Sequence, residues 1–302
     1  MTKFKNSENL KNTRTCQLNV VAIQSDKRTG FTLAEVLITL GIIGVVAAIT
    51  MPALIKNYQK HAYVNQLKTT YSILQNGFKQ MLADEGVDRL EDTSIFQSIG
   101  GSATAATNGA PGETYKVCTP YYSPGNLSTS ENCREFYKKL SKYFKIISIE
   151  DIENNNDAAK KAGIAYKYLN NGQDYLRIGV TKLVLSNGTY IVPQNIYSQP
   201  YKYLAGRQPY PYGGSLGQFI VDINGSKGPN IYGRDVFYLY IANNGTIIPC
   251  GSKAMGLLLQ NNEDFHYWTI TTTRINKCTT TETTEGYGCA GRIMDEGWKM
   301  NY

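Results

Sequence analysis

Two hydrophobic patterns with different periods divide the chain. From Phe31 to Ile55 the sequence is apolar all round, 25 residues with one ionisable side chain, Glu35. A helix of that length reaches ~37 Å at ~1.5 Å per residue. That exceeds the ~30 Å hydrocarbon core of a bilayer, so the stretch predicts a membrane span. Beyond it Val64, Leu67, Tyr71, Leu74, Phe78 and Met81 advance by threes and fours, the one-sided stripe of an amphipathic helix. Pro52 stands near the end of the apolar run and predicts a kink or loosened turn, because it removes a backbone donor and crowds the preceding turn. Gly86, after Asp84-Glu85, predicts the helix stop.

From Gly86 to about Gly112 small and polar residues (Gly100-Gly101-Ser102, Ala105 to Gly109) predict a long surface loop. Glu131 to Phe144 reads as a short amphipathic helix with Phe136, Leu140 and Phe144 on one side, followed by a strand at Ile146–Ile149 and a loop at Asn154-Asn155-Asn156-Asp157. The period then falls to two. Lys182–Leu185 and Thr189–Val192 flank Ser186-Asn187-Gly188, a hairpin signal because Asn-Gly accepts the positive φ of a tight turn. Phe219–Ile223 and Asp235–Ile241 predict two more strands, and Asn244-Gly245 turns the second into Thr246–Ile248. Helices do not alternate with these strands, which disfavours a parallel α/β sheet. The expected class is α+β: a long N-terminal helix packed on an antiparallel sheet.

Charge orients this arrangement. Lys3, Lys5, Lys11, Arg14, Lys27 and Arg28 precede the span and hold that end in the cytoplasm, so residues after about Ile55 lie outside it. A secretory signal would have a shorter apolar run with its small-residue cleavage site at the far end; here the unusual residues stand in front. Glu35 within the span costs roughly 2.5–3.5 kcal/mol on insertion scales and therefore calls for a partner. Six of the 31 basic and two of the 24 acidic side chains lie in residues 1–30, so the net charge of +7 falls to about +3 beyond them. No clustered basic face for nucleic acid is visible. Twenty-three Tyr against nine Phe suit an exposed β-rich surface, since Tyr combines aromatic bulk with a wettable tip.

Catalytic chemistry is poorly represented: the chain has no GxSxG elbow, P-loop, HExxH or dinucleotide fingerprint, and the expectation is a protein that is not an enzyme. His61 lies on the long helix beside the membrane, and Glu263, Asp264 and His266 read as a polar loop. With no CxxC pair and two histidines, a zinc site is disfavoured. Asp222-Ile223-Asn224-Gly225, continued by Gly228-Pro229-Asn230 and closed by Asp235, is rich in oxygen ligands. Two readings stand for it. Asp222, Asn224 and Asp235 would bind Ca2+, a hard cation that takes such oxygens, although the closing glutamate of an EF-hand is missing. Otherwise the segment is a rigid Gly/Pro/Asn turn whose side chains cap their own backbone.

The run Lys27-Arg28-Thr29-Gly30-Phe31-Thr32-Leu33-Ala34-Glu35-Val36-Leu37-Ile38 resembles the processing site of type IV prepilins and of the pseudopilins of type II secretion systems. The segment Asp222–Asp235 resembles one found in the sheet of many prepilin-like proteins, some of whose major pseudopilins hold calcium in a neighbouring loop. The resemblance implies that a prepilin peptidase/N-methyltransferase cuts after Gly30 and methylates the new N-terminal Phe31. Glu35, then the fifth residue, would pair with the α-amino group of Phe31 on a neighbouring subunit, and Pro52 sits where filament-forming pilins often carry a proline. The implied domains are residues 1–30, a cytoplasmic leader that is removed; 31–55, the span and later filament core; 56–86, the amphipathic half of the same helix; and 87–302, a pilin-like head.

The partners so implied are other pilin or pseudopilin subunits, an inner-membrane assembly platform, and the membrane itself before assembly. The implied location is the inner membrane, crossed once with the head outside the cytoplasm, and then a periplasmic or cell-surface filament. Three functions remain open: a structural subunit of a type IV pilus (fimbrium), a pseudopilin of a type II secretion system, or a membrane-tethered adhesin or DNA-uptake protein that does not polymerise. Cys16 leaves with the leader, and five cysteines remain in an environment where disulfides form. Fifteen arrangements of two bonds are possible. The favoured one joins Cys118 to Cys133 and Cys278 to Cys289, each closing a polar loop, and leaves Cys250 over.

Overall fold

The structure is a computed structural model and describes residues 30–100, 102–104, 114–118, 128–152, 156–169, 174–175, 180–194, 196–198, 215–254, 278–279 and 285–302. The leader with Cys16 and the Glu263–His266 segment lie outside the described residues. Packing divides the chain into two units, residues 1–52 and 53–302.

One helix, α1, runs from Leu33 to Glu85. It continues unbroken through Pro52, where the sequence predicts a kink or loosened turn. Proline deletes a single N–H donor, which loosens that turn by one hydrogen bond while the helix goes on past it. The helix ends where Gly86 takes φ +65°. The Gly86 N–H donates to Ala83 and the Val87 N–H to Leu82, the double closure that a left-handed glycine permits.

As far as Ile99 the residues after it are more ordered than the predicted surface loop, and Gly101 and Ala105 to Gly112 of that loop lie outside the described residues. A 3₁₀ turn at Leu90–Asp92 and the one-turn helix α2 (Ser94–Gln97) bury Leu90, Ile95, Phe96 and Ile99. The Thr93 hydroxyl accepts from the Phe96 N–H, and Glu85 accepts from Ser94, so α2 is capped. Small residues hid this from the sequence, but among them Phe96 packs its ring against those of Phe78 and Phe136, and Leu90, Ile95 and Ile99 join the same core. Helix α3 spans Ser128–Phe144. Helix α4, Asn156–Lys161, begins inside the run read as an Asn/Asp loop. Asp157 stands in its first turn and Lys160 and Lys161 in its last, each placed to suit the helix dipole.

The central sheet contains β1 (Ile146–Ile152), β2 (Val180–Leu185), β3 (Tyr190–Gln194), β4 (Ser215–Asp222), β5 (Val236–Ala242) and β6 (Ile247–Pro249). They lie side by side in chain order, every pair antiparallel, which is the meander that the Asn-Gly turns predict. Gly188 and Gly245 take φ +84° and +76° at those turns.

Alternation along the strands separates two cores. Leu183, Leu185, Ile191, Phe219, Val221, Phe237, Leu239 and Ile241 join Val64, Leu67, Leu74, Phe78 and Met81 of α1. Gly77 lets α3 approach, since a Cβ there would stand 2.2 Å from Phe144 Cε1. Thr70 and Thr189, both buried, place their hydroxyls 3.3 Å apart between the helix and the β2–β3 turn. On the opposite face Val192, Ile220, Val236, Tyr238 and Tyr240 pack with Ala159, Ile164, Tyr166, Tyr232 and Tyr287. These tyrosines correct the expectation of an exposed tyrosine surface: Tyr232 is fully buried and Tyr166 is 2 % exposed. Ring pairs such as Tyr232–Tyr287 and Tyr238–Tyr287, with centroids 4.7 and 4.6 Å apart in edge-to-face geometry, stabilise a core beyond the area they bury.

Candidate functional site

The helix start decides how the Gly30–Phe31 junction is presented. Gly30, Phe31 and Thr32 are not helical, and Phe31 is 88 % exposed. The Thr32 hydroxyl accepts from the Glu35 N–H at 3.2 Å, while Glu35 Oε2 accepts from the Thr32 N–H at 2.8 Å and from its hydroxyl at 3.0 Å. This reciprocal pair is a capping box, in which the first residue outside a helix and the third inside satisfy each other's orphan donors. Glu35 thus has a partner within its own chain, which the sequence reading assigned to a neighbouring amine. The T-x-x-E spacing of Thr32-Leu33-Ala34-Glu35 was the available signal. Its chemical effect is to seat the carboxylate beside residue 31 and to fix the first helical residue as Leu33.

Beyond the box the apolar side chains find no cover among the described residues. Leu33, Leu37, Ile38, Leu40, Ile42, Ile43, Val45, Val46, Ile49, Leu54 and Ile55 are all more than half exposed. The helix is long and apolar enough to cross a membrane. The Thr39 and Thr50 hydroxyls donate back to the Val36 and Val46 carbonyls, which keeps these polar groups satisfied without water. Pro52 leaves the Ala48 carbonyl without its usual helix donor.

The sheet brings Asp222, Asn224 and Asp235 together at the β4–β5 turn, with Asp222 opposite Val236 in the ladder. Their oxygens are mostly engaged by the loop itself. Asp235 accepts from the Asn230 and Ile231 N–H groups at 2.8 Å each, and Asp222 Oδ1 accepts from Asn224 N–H at 3.3 Å. Asn224 donates to the Gly228 carbonyl at 2.8 Å and Asn230 to that of Gly163 at 3.1 Å. Asp222 Oδ2, Asn224 Oδ1 and Asn230 Oδ1 are buried without a hydrogen-bond partner. Burial, and then the charge of Asp235, raises the Asp222 carboxyl well above the usual aspartate range; burial raises Asp235 as well. Among the described residues no group of three or more His, Cys, Asp or Glu side chains converges on a common point. The loop caps part of its own backbone and leaves Asp222 Oδ2, Asn224 Oδ1 and Asn230 Oδ1 over.

Cys118 is bonded to Cys133 and Cys278 to Cys289. Cys250 is buried and forms no disulfide, its thiol pushed up to about 12 by burial. Lys182, 5 % exposed, pairs with Glu150 at 2.9 Å and lies over the Tyr190 ring, an ion pair that braces the outer face of the sheet.

Residues 25–51 match the family model of the prokaryotic N-terminal methylation motif. No curated protein and no solved structure matches the chain. The chain carries the type IV prepilin-like cleavage and methylation motif, on an α+β fold whose apolar N-terminal helix leads into an antiparallel sheet domain.

Proposed function

We propose that this protein is a structural subunit of a type IV pilus-like filament. The observation that carries the reading is the exposure of the large apolar side chains of α1 from Leu33 to Ile55, beside a head whose own cores are complete without them. Apolar area of this extent favours burial at roughly 25 cal/mol per Å², and the described residues offer no cover. Lipid covers it first, and the corresponding helices of neighbouring subunits cover it in the filament.

Processing supplies the switch between these states. Hydrolysis of the Gly30–Phe31 bond removes residues 1–30 and frees the α-amino group of Phe31, which then receives a methyl group and remains cationic. Glu35, already turned toward residue 31 by its bonds to Thr32, offers its second carboxylate oxygen to such an amine on the next subunit. An ion pair in hydrocarbon is permitted where a lone carboxylate is costly, so the pair fixes axial register. Delivery by an inner-membrane assembly platform follows from this route. The disulfides Cys118–Cys133 and Cys278–Cys289 suit a head held outside the cytoplasm.

N-terminal mass spectrometry of protein from cell membranes and from sheared surface material tests the proposal. Chains beginning at N-methylated Phe31 in the sheared fraction are expected. Chains that keep residues 1–30 in cells with an active prepilin peptidase would overturn it.

A further inference from the structure

The outer end of the apolar helix carries a cluster of cations that neither the cores nor the filament reading uses. Lys56 follows directly on Ile55, and Lys60 stands one turn later on the same helix face. Lys60 donates to the main-chain oxygen of Tyr302, whose hydroxyl donates to the Gly233 carbonyl at 2.5 Å. Arg234 is the next residue, so the β4–β5 loop brings a third cation to the two on the helix. Lys56 and Arg234 are exposed, and among the described residues no carboxylate side chain forms an ion pair with any of the three. The neighbouring Asp235 is committed to the loop N–H groups. The like charges are felt at Lys60, which is held below the ordinary lysine value by burial and then by Lys56 and Arg234. Tyr58, 74 % exposed between the two lysines, is the amphipathic kind of ring that sits at the membrane–water boundary.

We propose that Lys56, Lys60 and Arg234 form a docking surface for the phosphates of anionic phospholipid headgroups, holding the head against the outer face of the membrane before extraction, with Tyr58 at the same level on the other side of the helix. The proposal rests on α1 spanning a membrane and is independent of polymerisation. Position favours a lipid over other anions: the cluster begins at the residue after the last apolar one, the level at which headgroup phosphates lie. Long basic side chains at such a point keep their stems on apolar surface and extend their charge to the phosphates. A cation beside an anionic bilayer gains about a factor of five in partition, so the two exposed cations, Lys56 and Arg234, supply on the order of thirtyfold at low salt, and Lys60 adds to this as far as a phosphate draws it from the Tyr302 oxygen.

The full chain, reconstituted in phosphatidylcholine bilayers with trace spin-labelled phosphatidylglycerol or phosphatidylcholine, gives the preference for the anionic lipid by electron paramagnetic resonance. The leader's cations lie on the opposite side and are common to all variants, so the difference between variants is what counts. The wild-type preference is expected to fall in steps through Lys56→Gln, Lys60→Gln and Arg234→Gln, and at least threefold in the triple variant, with unchanged circular dichroism; 1 M NaCl should reproduce the loss. A triple variant as selective as wild type overturns the proposal. So does displacement of the lipid by inorganic phosphate at constant ionic strength, which would mark a free-anion site. Loss of subunit cross-links in the triple variant without any change in lipid preference overturns it too, in favour of an acidic surface on a second copy. Unmethylated or uncleaved chains would sink the filament reading and leave this result standing.

Discussion

The apolar stretch of α1 and the head solve the burial problem in opposite ways. In the head, each apolar face meets another: Leu74, Phe78 and Met81 are fully buried against the sheet, and the outer face of the sheet is covered by tyrosines. Between Leu33 and Ile55 the same kind of side chain stands in the open. One region is finished by folding, and the other is left open by the described residues. Stability and function are therefore separable along a single helix, and substitutions on either side of about residue 60 should fail in different assays.

Glu35→Val tests that separation most severely. It removes the lone charge of the apolar stretch and the carboxylate that would set register. Sheared filaments should fall more than tenfold or lose regular axial repeat, while membrane-bound protein accumulates normally and the head melts unchanged. A tethered binding protein would tolerate the substitution. Phe78→Ala is the converse. Phe78 is fully buried with Phe144 and Phe219 around it, at ring-centroid distances of 4.9 and 6.3 Å, and removing such a ring costs about 3–5 kcal/mol. Thermal unfolding should fall by roughly 6–20 °C, with membrane insertion unaffected.

Gly77→Ala sharpens the contrast within α1. In the exposed stretch Gly41 and Gly44 have open space around them, whereas a Cβ at Gly77 enters the Phe144 ring. Alanine should stabilise an isolated helix by its better propensity, yet at Gly77 overpacking should destabilise the head by about 1–3 kcal/mol. Phe144→Leu in the same chain should recover part of that loss in a denaturant titration. At Gly44 the same change should leave the head's midpoint where it was.

Acid should reveal a buried charge that belongs to the head alone. Because the Asp222 carboxyl is raised in the folded state by burial and by Asp235, the native chain holds a proton that the unfolded chain releases near pH 4. Stability contributed by this group is then present at low pH and declines as pH rises from about 4 toward the raised value, with a limiting slope of about 1.4 kcal/mol per pH unit. Asp222→Asn should flatten that decline in melting curves recorded between pH 4 and 8. An unchanged profile would mean that Asp222 is ionised in the fold.

Much of this was legible because short-range physics decided it. The steps from Val64 to Met81 fixed the buried face of α1, and Asn187-Gly188 and Asn244-Gly245 fixed two of the strand pairs, β2–β3 and β5–β6. The tyrosines were not legible. Val236–Ala242 is apolar or aromatic at every position, so alternation cannot tell a solvent face from a second core, and the cover comes from Tyr166 and Tyr287, far away in sequence. The early helix at Ser94–Gln97 was hidden in the same way, since its order depends on Phe78 and Phe136. At the N-terminus, the fit of Glu35 to a neighbouring subunit obscured its simpler bond three residues back.

That local bond allows the smallest of the tests. The capping box closes the start of the open stretch of α1 from within its own chain, and an N-cap hydroxyl is worth about 1 kcal/mol. Thr32→Ala removes the bonds its hydroxyl makes with Glu35 and leaves the remaining contact to the Thr32 N–H. Amide hydrogen exchange at Leu33 to Glu35 should quicken about fivefold in detergent micelles, Thr32→Ser should restore it, and exchange from residue 64 onward should not change. If cleavage after Gly30 slows with the same ordering of variants, the cap matters because it keeps the junction outside the helix, where a peptidase meets an extended backbone. If cleavage is indifferent while methylation or assembly suffers, the cap acts after the cut, by aiming the Glu35 carboxylate at the incoming amine.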